Sequence, residues 1–273
     1  MDSNVSNFVV VGNPIKHSMS PVIHKIFAEQ TGIKCTYSAY KVCKNTFFSF
    51  LSSFFLSNGL GMNVTLPFKH DAFLFSDVLT KRAQLSQSVN TLKKLSNGII
   101  LGDNTDGEGL LYDLKRLNYV QPQDNILLLG SGGAAYSIVG VLLSLNCSIF
   151  VYNRTVSKAY DLVSRFSEYG DIQVIKWDLL ETISFNLIIN ATSAGLLGDI
   201  LELPNKLINS KVFCYDLFYD SSLTPFLVWC KQQGANYVHD GIGMLVSQAA
   251  ESFFLWHGVY PSIESTIMKL DKL

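Results

Sequence analysis

Residues 125–135 have the sequence Asn125-Ile126-Leu127-Leu128-Leu129-Gly130-Ser131-Gly132-Gly133-Ala134-Ala135. The Ile- and Leu-rich start is typical of a strand that is buried on both faces of a parallel sheet. A glycine turn follows, and residues 134–145 are predicted to form an apolar helix. Gly130-x-Gly132-x-x-Ala135 in this setting indicates a dinucleotide-binding turn, because its glycines allow a tight bend and a close approach of a pyrophosphate. A purely structural glycine turn is the alternative.

Strands and helices continue to alternate after this turn. The pattern predicts one further helix over residues 156–166 and strands over residues 148–152, 173–175, 187–190 and 212–216. Such alternation is typical of a doubly wound parallel sheet, in which each helix connects two neighbouring strands. We therefore predict a Rossmann-like fold for the second half of the chain.

The first half is predicted to be a smaller α/β domain. Its strands are expected over residues 8–12, 36–42 and 60–66, its helices over residues 20–32, 47–56 and 80–88, and a hairpin over residues 89–92 and 98–101. Ser20 is predicted to cap the first helix because Pro21 follows it. The polar turn of residues 103–107 marks a domain border, and a helix over residues 109–117 is expected to lead into the second half.

The composition is that of a globular protein with a sizeable core. Of 273 residues, 48% are hydrophobic and 16% are charged, and the net charge of -1 gives no electrostatic case for nucleic acid or an anionic membrane. The most apolar stretch, residues 47–56, is far shorter than the roughly 18 residues that span a bilayer, so we interpret it as a core helix. The amino terminus shows no secretory signal, and we expect a cytoplasmic protein.

The cysteines indicate neither a metal site nor a disulfide framework. Cys35, Cys43, Cys147, Cys214 and Cys230 are irregularly spaced without a C-x-x-C pair, and no His pair has metal-ligand spacing. We interpret the thiols as small buried hydrophobic groups of a metal-free protein in a reducing compartment.

The end of the second strand in the Rossmann-like half indicates which dinucleotide binds. A carboxylate there would bind the ribose of NAD, but this chain has Asn153-Arg154-Thr155, with Lys158 one turn later. Arg154 and Lys158 can pair with a 2′-phosphate, and Thr155 can donate a hydrogen bond to it. NADP is therefore favoured over NAD, the alternative being that both cations are ordinary surface residues.

Polar residues in the first half are predicted to follow strands at the sheet edge where open α/β sheets bind ligands. They are Ser18, Ser20, Thr65, Lys69, Asn90 and Asp106. Any one of them could be a helix cap or a solvated side chain. As a set, neutral hydrogen-bonding groups with one Lys and one Asp suit a small, hydroxyl-rich acid.

Nine segments of the chain form an ordered set of motifs: Gly12-Asn13-Pro14-Ile15-x-His17-Ser18-x-Ser20-Pro21, Asn63-Val64-Thr65-x-Pro67-Phe68-Lys69, Val89-Asn90-Thr91, Gly102-Asp103-Asn104-Thr105-Asp106-Gly107, Gly130-x-Gly132-Gly133-Ala134, Asn153-Arg154-Thr155, Asn190-Ala191-Thr192-Ser193, Asp216-x-x-Tyr219 and Asp240-Gly241-x-Gly243-Met244-Leu245-x-x-Gln248-Ala249. With these segments, the chain resembles the bacterial biosynthetic type of the shikimate dehydrogenase family over nearly its full length. Nine segments in this order are highly specific.

The resemblance implies an enzyme that reversibly reduces 3-dehydroshikimate to shikimate with NADPH, in chorismate and aromatic amino acid biosynthesis. It implies Lys69 and Asp106 as the catalytic pair. It also implies a substrate site made by Ser18, Ser20 and Tyr219 around the carboxylate and by Thr65, Asn90 and Gln248 around the hydroxyls. The cofactor would be lined by Gly130, Gly132, Gly133, Ala134, Asn153, Arg154, Thr155, Lys158, Thr192, Ser193, Leu217 and Gly241.

The resemblance implies two domains with a cleft between them. Residues 1–105 and 242–273 would form the substrate-binding and catalytic domain, and residues 106–241 the NADP-binding domain. The carboxyl-terminal segment would thus return to the first domain and bring Gln248 to the substrate. A monomer or a homodimer is expected that binds a small-molecule substrate, with neither nucleic acid nor a membrane as a partner.

The chain departs from its relatives at two positions. Tyr136 stands near the glycine turn where many relatives have Arg, so a pyrophosphate contact is expected to be lost. Met19 stands where Lys is frequent and is expected to point away from the substrate.

Two alternative functions remain open on the same fold. One is a broader quinate/shikimate dehydrogenase, against which Arg154 argues. The other is a non-catalytic ligand-binding regulator, against which the Lys69–Asp106 pair argues.

Overall fold

The computed structural model of this protein describes residues 6–192 and 203–270. The chain divides into two compact units, Met1–Gly109 with Leu245–Leu273, and Leu110–Met244. These borders lie shortly after the predicted domain limits. The roles predicted for the two domains stay predictions.

The described residues contain twelve strands and ten helices. The strands are β1 (Ser6–Gly12), β2 (Cys35–Lys41), β3 (Gly59–Val64), β4 (Val78–Leu79), β5 (Thr91–Lys94), β6 (Ile100–Asp103), β7 (Asn125–Leu129), β8 (Ser148–Tyr152), β9 (Ile172–Val174), β10 (Leu187–Asn190), β11 (Phe213–Asp216) and β12 (Tyr237–His239). The helices are α1 (Ser20–Thr31), α2 (Phe47–Leu56), α3 (Lys69–Phe75), α4 (Lys81–Ser86), α5 (Asp106–Arg116), α6 (Gly133–Leu143), α7 (Val156–Phe166), α8 (Pro225–Gln232), α9 (Ile242–His257) and α10 (Ile263–Leu270). Both unit borders fall inside helices, one in α5 and one in α9.

The sheet of the first unit has the order β2-β1-β3-β5-β6-β4. Strands β2, β1 and β3 are parallel, whereas β5 is antiparallel to both β3 and β6. Helix α2 buries Phe47, Leu51 and Phe55 against this sheet, and Phe47 stacks on Phe68 with ring centroids 4.4 Å apart. The interpretation of this apolar segment as a core helix is therefore confirmed. Within the described residues, no helix is both long and apolar enough to cross a membrane.

The second unit contains a fully parallel sheet with the order β12-β11-β10-β7-β8-β9. Counted from β7, this is the doubly wound order 3-2-1-4-5-6. The strand order reverses between β7 and β10, where Leu129 pairs with Asn190. Open α/β sheets bind ligands at this reversal, beyond the carboxyl ends of the strands. The predicted Rossmann-like fold is confirmed.

Several predicted elements agree with the structure while their ends differ. Met19, not Ser20, holds the N-cap position of α1, and Ser18 Oγ accepts a hydrogen bond from the Ser20 amide at 3.3 Å. The prediction of Ser20 as the cap was therefore wrong. Helix α5 begins three residues earlier than predicted, at Asp106, because the Asn104 side chain accepts a hydrogen bond from the Asp106 amide at 3.1 Å. Elements α3, β4, α8, β12, α9 and α10 were not predicted.

The cysteine prediction holds for three of the five thiols. Cys147, Cys214 and Cys230 are buried, whereas Cys35 is half-buried and Cys43 is exposed. Cys35 lies on β2, an edge strand, and Cys43 follows that strand, which explains their exposure. Within the described residues, no three His, Cys, Asp or Glu side chains are arranged to hold a metal ion.

A buried histidine sits in the core of the first unit. His24 of α1 is 2% exposed and stacks on Tyr37, with ring centroids 4.0 Å apart. Burial, together with nearby His257, lowers the pKa of His24 to about 3, although a hydrogen bond with Asn63 opposes the shift. His24 is therefore neutral at physiological pH and serves as a core side chain.

Acid should destabilise the fold through His24. Because its pKa is lowered to about 3 from 6.5, the unfolded chain takes up a proton that the folded chain refuses as the pH falls below 6.5. Between about pH 7.5 and about pH 5 this should remove about 2 kcal/mol from the free energy of unfolding. Urea unfolding of wild type and His24→Phe at both pH values measures this fall in the free energy of unfolding. The fall should be about 2 kcal/mol smaller in the variant than in wild type.

His70→Phe is the control, because the His70 side chain is exposed and lies outside the core that buries His24. The acid-induced loss in this variant should equal that of wild type. An equal loss in wild type and His24→Phe would show that His24 does not couple stability to pH.

Candidate functional site

Lys69 and Asp106 form an ion pair in the first unit. Lys69 is the first residue of α3, Asp106 is the first residue of α5, and Lys69 Nζ donates to Asp106 Oδ2 at 2.5 Å. The two side chains are 23% and 8% exposed, so the ammonium group remains accessible while the carboxylate is nearly covered. An accessible cation oriented by a buried anion can stabilise negative charge on a ligand and exchange a proton with it.

Short backbone contacts bring these two helix starts together. The Lys69 carbonyl accepts a hydrogen bond from the Val89 amide at 2.9 Å. The next residue, Asn90, donates its own amide to the Asp103 carbonyl at 3.0 Å, three residues before Asp106. The segment before β5 therefore bridges the segment that carries the lysine and the one that carries the aspartate.

Asn90 is the centre of the surrounding hydrogen-bond network and is 3% exposed. Its Nδ2 atom lies within hydrogen-bonding distance of Asp106 Oδ1 at 2.7 Å, Thr105 Oγ1 at 2.9 Å and Gln248 Oε1 at 3.2 Å. A primary amide carries two hydrogens and satisfies at most two of these acceptors well. Gln248 Oε1 is the most distant of the three, so Gln248 is the member best able to turn to a ligand.

Gln248 lies on α9 and is half-buried. Its Nε2 atom donates to the Leu245 carbonyl at 2.8 Å, and its backbone carbonyl accepts from Thr105 Oγ1 at 3.0 Å. The structure therefore brings four predicted site residues into one connected network: Lys69, Asp106, Asn90 and Gln248.

Ser18, Ser20 and Thr65 follow the carboxyl ends of β1 and β3. These strands are parallel neighbours, and Val11 pairs with Val64 near their ends. The Thr65 amide donates to the Val11 carbonyl at 2.9 Å, which ties the end of β3 to β1. Ser18 and Thr65 are half-buried and Ser20 is buried, at the sheet edge where ligands bind in such folds.

The glycine turn of the second unit has the geometry that its sequence predicts. Gly130 has φ +99°, and a Cβ on it would lie 3.0 Å from Thr192 Cγ2. Gly132 and Gly133 are exposed, and a Cβ on either would meet nothing within 4 Å. Ala134 is half-buried, and Ala135 packs into the core. Open glycine backbone at the start of α6 can bind a pyrophosphate through its amides.

A buried hydroxyl at the same turn adds to this fit. Ser131 Oγ is covered and has no hydrogen-bond partner among the described residues. A buried polar atom without a protein partner is uncommon and is a candidate to bind a ligand or a water molecule. The residues of the turn therefore fit a dinucleotide.

The predicted 2′-phosphate residues follow β8, the neighbour of β7. Arg154, Thr155 and Lys158 are exposed, and Thr155 is the N-cap of α7 without a side-chain capping bond. Among the described residues, neither Arg154 nor Lys158 forms an ion pair. Asn153 Nδ2 donates to the Thr155 carbonyl at 2.8 Å, which shapes this loop. Both cations are thus available to an anion from solution.

The loops after β10, β11 and β12 hold the remaining predicted cofactor residues. Thr192 Oγ1 donates to Asn190 Oδ1 at 2.7 Å, and Asn190 Nδ2 donates to Asp216 Oδ1 at 3.1 Å, which links the ends of the two strands. A Cβ on Gly241 would lie 2.3 Å from the Leu217 carbonyl oxygen, so this contact requires glycine. Ser193 lies outside the described residues.

Tyr219, Tyr136 and Met19 lie in three different parts of the fold. Tyr219 follows β11 in the second unit and is half-buried. Tyr136 lies in the first turn of α6 and faces α7, where the Arg165 guanidinium carbon is 5.8 Å from its ring centroid. Met19 holds the N-cap position of α1.

Several network residues were missed by the sequence reasoning. Residues Asp103, Asn104 and Thr105 lie in the 102–107 segment that resembles the family, but a role was predicted for Asp106 alone. Arg82 and Ser252 carried no signal at all, since an isolated Arg or Ser in a helix is usually a surface or core side chain.

The strand order and the glycine turn together define the class of this protein, one with a Rossmann-like domain of the dinucleotide-binding type. Three domain families match successive parts of the chain. "Shikimate dehydrogenase substrate binding domain" matches residues 10–92, "Shikimate / quinate 5-dehydrogenase" residues 115–197 and "Shikimate 5'-dehydrogenase C-terminal domain" residues 241–270. The chain belongs to the shikimate dehydrogenase family.

Solved structures support the same assignment over the whole chain. The Ael1 enzyme from Pseudomonas putida is 36% identical, with a TM-score of 0.91 and coverage of 97% of this chain and 98% of its own. Shikimate dehydrogenase from Aquifex aeolicus is 29% identical, with a TM-score of 0.90 and 99% of each chain covered. Shikimate 5-dehydrogenase from Thermus thermophilus, in complex with NADP(H) and shikimate, is 29% identical, with a TM-score of 0.88 and coverage of 98% of this chain and 99% of its own.

Proposed function

We propose that this protein catalyses the reversible reduction of 3-dehydroshikimate to shikimate with NADPH, as a step of chorismate and aromatic amino acid biosynthesis. The observation that carries the proposal is the 2.5 Å contact between Lys69 Nζ and Asp106 Oδ2 inside a network with Asn90 and Gln248. The Thermus thermophilus relative, in complex with NADP(H) and shikimate, supports the choice of substrate and cofactor.

Lys69 acts on the ketone oxygen of the substrate. NADPH, when bound, supplies the hydride. The Lys69 ammonium stabilises the negative charge that develops on the oxygen and donates a proton from Nζ. Asp106 orients that ammonium through the hydrogen bond between Lys69 Nζ and Asp106 Oδ2. In the oxidation of shikimate, Nζ takes the proton back from the hydroxyl.

The substrate is recognised by neutral hydrogen-bonding groups. Ser18, Ser20 and Tyr219 bind the carboxylate. Thr65, Asn90 and Gln248 bind ring hydroxyls, with Gln248 released from its long contact to Asn90. Residues 1–105 and 242–273 serve as the substrate-binding and catalytic domain.

Residues 106–241 serve as the NADP-binding domain. The exposed amides of Gly132, Gly133 and the start of α6 hold the pyrophosphate. Arg154 and Lys158 pair with the 2′-phosphate, and Asn153 and Thr155 shape their loop. The rest of the site is lined by Thr192, Leu217 and Gly241. The five free thiols suit a reducing compartment, and we place the enzyme in the cytoplasm as a monomer or homodimer.

Turnover in four substrate and cofactor combinations tests this function. Purified protein is assayed with shikimate or quinate, each with NADP or NAD, and shikimate with NADP should dominate. Comparable turnover of quinate would favour the broader enzyme that the family description "Shikimate / quinate 5-dehydrogenase" allows. No turnover in any combination would contradict both enzyme functions and favour a ligand-binding regulator.

A further inference from the structure

We propose that Arg82 and the buried Asp103 form a positioning pair that sets the carboxylate of Asp106 for catalysis, an inference that rests on the proposed function. Arg82 Nε donates to Asp103 Oδ1 at 2.7 Å, and Nη2 donates to Oδ2 at 2.5 Å. This bidentate geometry fixes the plane of the Asp103 carboxylate as well as its position. Asp103 is 1% exposed, and Thr80 Oγ1 adds a third bond to Oδ1 at 2.6 Å.

A short chain of hydrogen bonds leads from this pair to the catalytic carboxylate. Asp103 Oδ1 accepts the Asn104 amide at 2.8 Å. Asn104 Oδ1 in turn accepts the Asp106 amide at 3.1 Å, which caps the start of α5. The Asp103 carbonyl accepts the Asn90 amide at 3.0 Å, and Asn90 Nδ2 donates to Asp106 Oδ1 at 2.7 Å. The pair thus reaches both the backbone and the side-chain carboxylate of Asp106.

The charges around the pair favour its ionised form. Burial alone would raise the pKa of Asp103, but the hydrogen bonds and charge of Arg82, with the Thr80 hydroxyl, lower it overall. Arg82 also faces Glu108 Oε1 and Glu251 Oε2, each at 3.8 Å. Loss of Arg82 leaves the buried Asp103 charge without its ion-pair partner, and loss of the Asp103 charge removes the acceptor that holds Arg82, so the segment between β6 and α5 would relax. A displacement of Asp106 by about 1 Å is enough to slow the reaction substantially.

A double-mutant cycle separates a positioning role from a merely structural one. Asp103→Asn keeps the shape of the side chain but loses the charge and one of the two oxygens that accept hydrogen bonds from Arg82. In the wild-type background it should lower kcat about tenfold with the KM for shikimate within about twofold. In an Asp106→Asn background it should change kcat by less than about twofold, because the residue on which it acts is already disabled.

Arg82→Lys serves as the second variant, and it carries the same cycle if Asp103→Asn does not fold. Arg82→Lys retains the positive charge but loses the planar guanidinium group, so it should lower kcat about threefold in the wild-type background. In the Asp106→Asn background this effect on kcat should disappear. Glu108→Gln is the control, since Glu108 faces Arg82 at 3.8 Å and lies outside the hydrogen bonds that join the pair to Asp106, and its kcat should stay at the wild-type value.

The outcomes are distinct. Equal loss of kcat in both backgrounds, or unchanged kcat in Asp103→Asn and Arg82→Lys, overturns the positioning role while the catalytic pair stands. Wild-type kcat in Asp106→Asn alone overturns the catalytic pair and the positioning role together. Thermal melting of each variant verifies that the protein is folded at the assay temperature.

Discussion

Lys69→Ala is expected to lower kcat by about 1,000-fold, while the KM for shikimate rises by less than about fivefold. The reason is that negative charge develops on the reacting oxygen in the transition state and not in the bound substrate. The lysine therefore stabilises the transition state more than it stabilises substrate binding. The partner of Lys69 Nζ in the structure is the carboxylate of Asp106, which cannot take over the role of a cation. Steady-state kinetics with shikimate and NADP separate the two constants.

Lys81→Ala provides a matched control for this variant. Lys81 is an exposed lysine at the start of α4 in the same unit, and its removal should leave both constants unchanged. If Lys69→Ala kept a kcat near that of wild type, Lys69 would not be the proton donor. If KM rose by the full factor while kcat held, Lys69 would bind the substrate without acting in the reaction.

The second unit was largely predictable because its signals are local. The spans of β7, β8, β10 and α7 agree with the predicted ranges residue for residue. Buried parallel strands appear in the sequence as short apolar runs, and the glycine turn marks where the first of them ends. Each signal is contained within about ten residues, so no tertiary contact is needed to recognise it.

The first unit was harder because its short elements depend on tertiary contacts. Helix α3 is only seven residues long and buries Ala72 alone, so no helical period is visible over Lys69–Phe75. The α5 start at Asp106 depends on the Asn104 side chain, and a polar turn and a capped helix start look alike in sequence. Such boundaries are set by individual hydrogen bonds.

In the candidate site, the residue types were predictable from the sequence, whereas their geometry was not. The candidate residues could be chosen from strand ends and the family resemblance, but their connections could not. Asn90 and Gln248 are 158 positions apart, and no periodic pattern relates them. Arg82 and Asp103 look like ordinary charged residues in sequence, and only the fold buries Asp103 and pairs it with Arg82.

Arg154→Ala is expected to lower kcat/KM for NADP by about 100-fold and to leave kcat/KM for NAD nearly unchanged. Arg154 is exposed and without an ion-pair partner among the described residues, so its guanidinium is free to pair with the phosphate that distinguishes the two cofactors. Arg154→Asp should go further and favour NAD, because a carboxylate at this strand end accepts hydrogen bonds from the ribose hydroxyls and repels the phosphate.

Lys211→Ala is the matched control for this change in cofactor preference. Lys211 is an exposed cation of the same unit that precedes β11, a strand on the other side of β7 from the β8 strand that Arg154 follows, and both cofactors should keep their wild-type constants. Initial rates at saturating shikimate give kcat/KM for each cofactor. The preference of Arg154→Ala for NADP should also depend less on salt, because screening weakens an exposed ion pair. Equal losses with NADP and NAD would assign Arg154 to the fold of the loop and leave Lys158 as the remaining candidate for the phosphate.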